Sequence, residues 1–219
     1  MKYSWIFFDL DGTLAQSGQG IMNSVKYALR KMGKPELPEE TLRRFIGPPL
    51  SDSFVRFCGC TPEEAKRGIS LYREYYSAGG LFEGELYPGV EDMLRTLKEA
   101  GFRLAIATSK PEIFSVQVVE HFHLTPYFEA VCGATVDETR EKKSAVISYA
   151  LRTLGITQEQ KASVLMVGDR EHDILGAKEN GLDSMGVLYG YGSREELSEA
   201  GADYIVETAS EAAEKICML

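Results

Sequence analysis

Long apolar runs are missing from this chain. A membrane-crossing helix needs about 20 consecutive apolar residues, and no stretch of the sequence comes near that length. The first ten residues, MKYSWIFFDL, hold only a short apolar run with no small-residue cleavage site behind it, so a secretory leader is not expected. A positive excess is missing too. There are 24 Lys and Arg against 33 Asp and Glu, a formal net charge of −9. That balance argues against nucleic acid and against anionic membranes as main partners. Cysteine is scarce, at four residues: Cys58, Cys60, Cys132 and Cys217. No second Cys/His pair at zinc-like spacing joins Cys58 and Cys60, and a chain of this size needs no disulfides. Reduced thiols and a cytoplasmic location are the expectation. Internal repeats and low-complexity tracts are also absent, which leaves an ordinary globular protein.

What is present is a chain of 219 residues, 44% of them hydrophobic, long enough for one large domain or for one domain with a smaller insert. Short apolar runs at 3–8, 102–108, 128–134, 163–168, 184–190 and 203–207 read as strands. Several are continuous rather than alternating, as parallel strands buried on both faces require. Between them lie helical patterns. PGVEDMLRTLKEAG places Val90, Leu94 and Leu97 on one face and stops at Gly101. KKSAVISYALRTLG repeats the plan with Val146, Ile147, Ala150, Leu151 and Leu154 and stops at Gly155. Ser193 with Glu196, and Thr208 with Glu211, have the spacing of capping boxes. Alternating strands and helices predict an α/β fold, a doubly wound parallel sheet.

Residues 15–86 break the alternation, because they contain no convincing strand. Ile21, Val25, Leu29 and Met32 share a helical face ahead of Gly33. PEETLRRFIG runs from Pro38 to Gly47, the usual helix punctuation. Thr61 and Glu64 form another capping box, followed by Ile69, Tyr72 and Tyr76 at helical spacing. So long a stretch is not a simple loop. It reads as an α-helical domain inserted after the first strand, with residues 1–14 and 87–219 forming the α/β core.

Open α/β sheets bind ligands beyond the carboxyl ends of their strands. At those ends stand Asp9 after the first strand, Thr108 and Ser109 after the second, and Asp169 after SVLMVG, with Asp173 four residues on. Each has an ordinary alternative as a turn or cap residue. Asp11-Gly12 in particular suits a tight turn. Together they are harder to dismiss, since two like charges about 4 Å apart cost about 4 kcal/mol at an effective dielectric of 20. A positive charge must offset them. Mg²⁺ held by carboxylate and carbonyl oxygens is one source. A lysine is another. Lys143 precedes Ile147 by four, Ala150 by seven and Leu154 by eleven residues, so it falls within the apolar stripe of its helix, whereas Lys142 lies roughly 100° away.

Asp9-Leu10-Asp11-Gly12-Thr13, Thr108, Lys143 and Gly168-Asp169-x-x-x-Asp173 resemble the four motifs of the haloacid dehalogenase (HAD) superfamily, in order and over the whole chain. FIGPPL, YPGV, VGDREHDILGAKENG and GVLYGYG are similar to its phosphoglycolate phosphatase branch, which carries a helical cap after the first motif. One departure is Ser144, where many members have proline. The resemblance implies a Mg²⁺-dependent phosphatase. Asp9 would be the nucleophile and Asp11 the general acid and base. Thr108 would bind a phosphoryl oxygen and Lys143 would offset charge. The metal would be held by Asp9, Asp11, Asp169 and Asp173, the last directly, through water or as a guide for Lys143. Gly12 and Ser109 are expected near the substrate.

The expected substrate is a small phosphorylated metabolite, phosphoglycolate first and a nucleoside 5′-monophosphate next. A hexose phosphomutase is a further alternative, and a non-catalytic binding protein is disfavoured. A monomer or weak dimer is expected. The cap is expected to close over the site and exclude water, with Gly47 of the stiff Gly47-Pro48-Pro49 bend as a substrate contact. Arg43, Arg44 and Lys110 are candidate anion contacts, with a solvated surface charge as the more ordinary reading of each. Tyr72, Tyr75 and Tyr76 read as packing, His121 and His123 as helix-end residues, and His172 as a variable position.

Overall fold

A computed structural model of the chain describes residues 1–137 and 139–219. The chain divides into two compact units, Met1–Ala15 with Leu86–Leu219, and Gln16–Glu85.

The second unit is helical. It contains α1 (Gly18–Met32), α2 (Glu39–Arg43), α3 (Leu50–Cys58) and α4 (Pro62–Ser77). The periodicity predicts α1 correctly, and Gly33 ends it in a left-handed conformation. Thr61 and Glu64 make the full reciprocal capping box that opens α4. Tyr72 and Tyr76 are buried and their rings stack, while the Tyr75 hydroxyl donates to Glu83 at 2.6 Å. These tyrosines are packing residues. The pattern from Pro38 to Gly47 predicts one helix, but α2 stops at Arg43. The backbone amides of Arg44, Phe45 and Ile46 each bond three residues back, not four. That tighter winding turns both Phe45 and Ile46 inward, where they are buried.

The first unit is built on a parallel sheet. Its strands are β1 (Trp5–Phe8), β2 (Arg103–Pro111), β3 (Ala130–Ala134), β4 (Val164–Gly168), β5 (Asp183–Val187) and β6 (Tyr204–Val206). The order is β3-β2-β1-β4-β5-β6, and every pairing is parallel. This is the doubly wound arrangement expected from the sequence, with β1 and β4 adjacent at the point where the order reverses. Helices α5 (Val90–Glu99), α6 (Glu112–His121), α7 (Lys143–Thr153), α8 (Glu171–Asn180), α9 (Arg194–Ala200) and α10 (Ala209–Met218) complete the unit. Trp5 and Phe7 of β1 point to the face covered by Val146, Ile147, Ala150 and Leu151 of α7. Ile6 and Phe8 point to the opposite face and are fully buried as well. A β1 with four large apolar residues buried on both sides is a rigid platform for the residue that follows it.

Three local expectations are corrected. β2 continues past Thr108 to Pro111 through a register irregularity, so Thr108 and Ser109 cap nothing. β5 ends at Val187 rather than running to Gly190. Ser193 and Thr208 each accept the amide hydrogen bond of a cap, but the return half is missing. The Glu196 carboxylate is taken by Arg170 and the Glu171 amide, and that of Glu211 by the Glu207 amide.

Candidate active site

β1 carries Asp9 to the carboxyl end of the sheet, where its amide donates to Val167 O at 2.9 Å. The next strand over, β4, ends at Gly168 and delivers Asp169 to the same edge. α8 starts at Glu171 and buries Asp173 in its first turn. One carboxylate oxygen from each of Asp9, Asp169 and Asp173 lies within 4.8 Å of the others, and all three residues are buried. Lys143, the first residue of α7, is buried with them. Its Nζ donates to Asp9 Oδ1 at 2.6 Å and to Ala107 O at 3.2 Å. It also stands 2.7 Å from Asp173 Oδ1. That contact is a buried ion pair. Lys142, the preceding residue, is exposed.

The electrostatics follow from this burial. Loss of solvent is the main force on Asp9 and pushes its pKa up to about 6, with Lys143 opposing and Asp173 adding to the rise. The same loss of solvent, with the charges of Asp173 and Asp9, holds Asp169 well above the ordinary carboxylate range. Burial alone would lower the Lys143 ammonium, but the charges of Asp173 and Asp9 outweigh it and hold the pKa above its usual value. Three buried carboxylates share one lysine. A set of hard oxygen donors short of positive charge fits a divalent cation.

Asp169 is fixed from two further sides. The Thr13 hydroxyl donates to Oδ1 at 3.3 Å, and the Tyr191 amide donates to Oδ2 at 2.8 Å. Gly12 sits at a φ of +93° directly beneath it, where any Cβ would collide with the Asp169 carboxylate. Glycine is required there on both counts. Thr108, on β2, is buried, and its hydroxyl favours the charged form of Asp9. Ser109 is half-buried beside it. Gly47 lies in the helical unit, on the connection between α2 and α3, with a φ of +102°.

Asp11 does not join the carboxylate cluster's lysine. It has its own. Lys110 Nζ donates to Asp11 Oδ1 at 2.8 Å and to Oδ2 at 2.9 Å, and Lys110 is buried. Its expected role as a solvated surface charge is therefore wrong. The sequence did not show it, because the apolar run ends at Thr108 and the strand reaches Lys110 only through the register irregularity. The Tyr191 amide was not legible, since a backbone donor leaves no trace in residue type. Arg43 does behave as a surface charge, paired to Glu39 at 2.8 Å, and Arg44 lies over the Phe57 ring.

The haloacid dehalogenase-like hydrolase family model matches residues 6–187. The chain belongs to that family. A 5′-nucleotidase of Pseudomonas aeruginosa is 39% identical over 197 residues, covering 90% of this chain and 88% of that one. A phosphoglycolate phosphatase of Vibrio parahaemolyticus is 34% identical, covering 97% and 96%. A crystal structure described as a predicted phosphatase from Clostridium acetobutylicum superposes with a TM-score of 0.94 at 45% identity, covering all of both chains. This haloacid dehalogenase-like protein is a phosphatase of the phosphoglycolate phosphatase-like branch. Among the described residues, no helix is long and apolar enough to cross a membrane.

Proposed function

We propose that this phosphatase hydrolyses a small phosphorylated metabolite by way of an aspartyl phosphate on Asp9. The observation that carries the reading is the buried cluster itself: Asp9 is held at 2.6 Å by Lys143 at the end of a rigid central strand, beside two more carboxylates. Asp9 attacks phosphorus, and the bond to the ester oxygen breaks. Asp11 gives that oxygen a proton. Asp11 then takes a proton from water as the water attacks the aspartyl phosphate, releasing phosphate and restoring Asp9. Thr108 donates to a phosphoryl oxygen, and Lys143 offsets negative charge on the phosphoryl group and on Asp9. Ser109 and the Gly12 turn lie beside the same edge as substrate contacts. Phosphoryl transfer needs mainly positioning and charge stabilisation, which these residues supply.

Asp9 and Asp169 would hold Mg²⁺, with the Asp11 carbonyl and with Asp173 as an outer partner that also aims Lys143. The ion, when bound, supplies the positive charge that the buried carboxylates and a phosphate together require. The helical unit follows the first strand, where the phosphoglycolate phosphatase-like branch carries its cap. The protein works in the cytoplasm as a monomer or weak dimer.

Phosphoglycolate leads as substrate, supported by the full-length likeness to a phosphoglycolate phosphatase. A nucleoside 5′-monophosphate is the second reading, favoured by the 39% identical 5′-nucleotidase. Phosphate release from a panel holding both, with and without Mg²⁺, decides between them. Asp9→Asn is expected to lower turnover by more than ~10³-fold on every substrate. Full activity in that variant would remove Asp9 as the nucleophile.

A further inference from the structure

Lys110 is not part of the mechanism just described, yet the fold takes trouble over it. The strand irregularity between Thr108 and Pro111 places it at the sheet's carboxyl edge. Its backbone is held on several sides. The Lys110 amide donates to Thr108 Oγ1 at 3.3 Å, and the Ser115 hydroxyl donates to Lys110 O at 3.3 Å. Across the sheet edge stands Gly133, where an added Cβ would come within 2.6 Å of Lys110 O. The side chain that leaves this clamped backbone is 3% exposed, and it ends on both oxygens of Asp11, itself 14% exposed.

Asp11 follows the tightly held Asp9 by two residues, but no strand holds its side chain. It sits at the head of a turn in which the Gly12 amide donates to Ala15 O. A carboxylate in such a place rotates freely about two bonds. Gripping both oxygens removes that freedom, and a lysine anchored on a different strand sets the direction.

We propose that Lys110 is a positioning residue for Asp11, fixing the angle at which that carboxyl group meets the ester oxygen of the leaving alcohol. The proposal rests on the acid role given to Asp11 above. General acid catalysis matters only where the leaving oxygen needs a proton. An alkyl phosphate such as phosphoglycolate must expel an alkoxide as the P–O bond breaks, and the departing electron pair is taken up by a proton from Asp11. The nitrophenolate of p-nitrophenyl phosphate departs with its electron pair and needs no proton. Misplacing Asp11 should therefore damage the first reaction and spare the second.

The test measures kcat and KM of wild type, Lys110→Met, Lys110→Arg and Asp11→Asn on the best alkyl ester and on p-nitrophenyl phosphate. Lys110→Met is expected to lower kcat on the alkyl ester by ~10²-fold and on the aryl ester by less than ~5-fold, with KM little changed. Asp11→Asn should show a split of the same sign and larger size. Lys110→Arg keeps the charge but moves its donors, and should show a smaller split. It also serves as the variant of record if Lys110→Met does not fold. Equal losses on both esters would reduce Lys110 to a structural role and overturn the proposal. So would an unchanged ratio in either lysine variant while Asp11→Asn keeps its split, and that outcome leaves the reading of Asp11 standing. If Asp11→Asn shows no split, Asp11 is not the acid and the proposal falls with it.

Discussion

Among the described residues, three buried carboxylates face a single ammonium around Lys143, whereas Lys110 grips both oxygens of Asp11. The two neighbourhoods lie at the same sheet edge and use the same residue types. They differ in charge balance. The first is short of positive charge, and burial and nearby like charge push Asp9 and Asp169 toward protonation. In the second, one ammonium holds both oxygens of a carboxylate. A site short of positive charge is built to receive some, from a cation. A carboxylate gripped at both oxygens is held still. The same two residue types thus do different work according to how the acids are arranged around each lysine.

The strongest way to break this comparison is to remove the lysine from the crowded side. Lys143→Met leaves Asp9 and Asp173 buried without their cation. It should destabilise the metal-free protein by about 3 kcal/mol and lower turnover at least ~10²-fold. Urea denaturation with and without Mg²⁺ checks it: added Mg²⁺ should return part of the lost stability. A variant that unfolds like wild type would show that the crowded side was never strained.

Next comes pH. Asp9 has a folded-state pKa near 6 against the ordinary 3.8. Because it is raised, its contribution to stability is fully present below pH 3.8 and is lost as pH rises through 6. In chelator, Asp9→Asn should therefore gain stability relative to wild type between pH 4 and 7.5, by about 3 kcal/mol at most. Saturating Mg²⁺ should shrink the gain. A difference that stays flat across this range would remove the charge deficit from the description.

Gly12→Ala sharpens the comparison at its boundary, since Gly12 lies between the two neighbourhoods and beneath Asp169. The variant is expected to lose about 1–3 kcal/mol, from the left-handed backbone and the collision with the carboxylate. Thermal unfolding would measure it, and a neutral substitution would mean that the turn is free to relax. The smallest effect belongs to Lys142, adjacent to Lys143 but exposed. Lys142→Met should change stability by less than about 0.5 kcal/mol and leave turnover within ~2-fold.

Much of this was legible in the residue pattern. The strands announced themselves as continuous apolar runs, because a parallel sheet covered on both faces tolerates little else. Asp9 stood out as an acid ending such a run. The helical phase of Lys143 set it apart from Lys142, because 100° of rotation separates an inward residue from a solvated one. Other features stayed hidden. α2 ends early because Phe45 and Ile46 are both drawn inward, which depends on the surface awaiting them. Glu196 looks like a capping residue, but Arg170 and the Glu171 amide, distant in sequence, claim its carboxylate.

The amino-acid order by itself determined the alternation of strands and helices, the helical insert, and the acids that end β1 and β4. These depend on local periodicity and on which residues tolerate burial, and both can be counted along one dimension. Only the tertiary structure decided which lysine meets which aspartate, and that Lys110 is buried rather than solvated. Ion pairing at 2.6 to 2.9 Å depends on where separate strands place their ends in space. No spacing along the chain encodes a distance between residues that are a hundred positions apart.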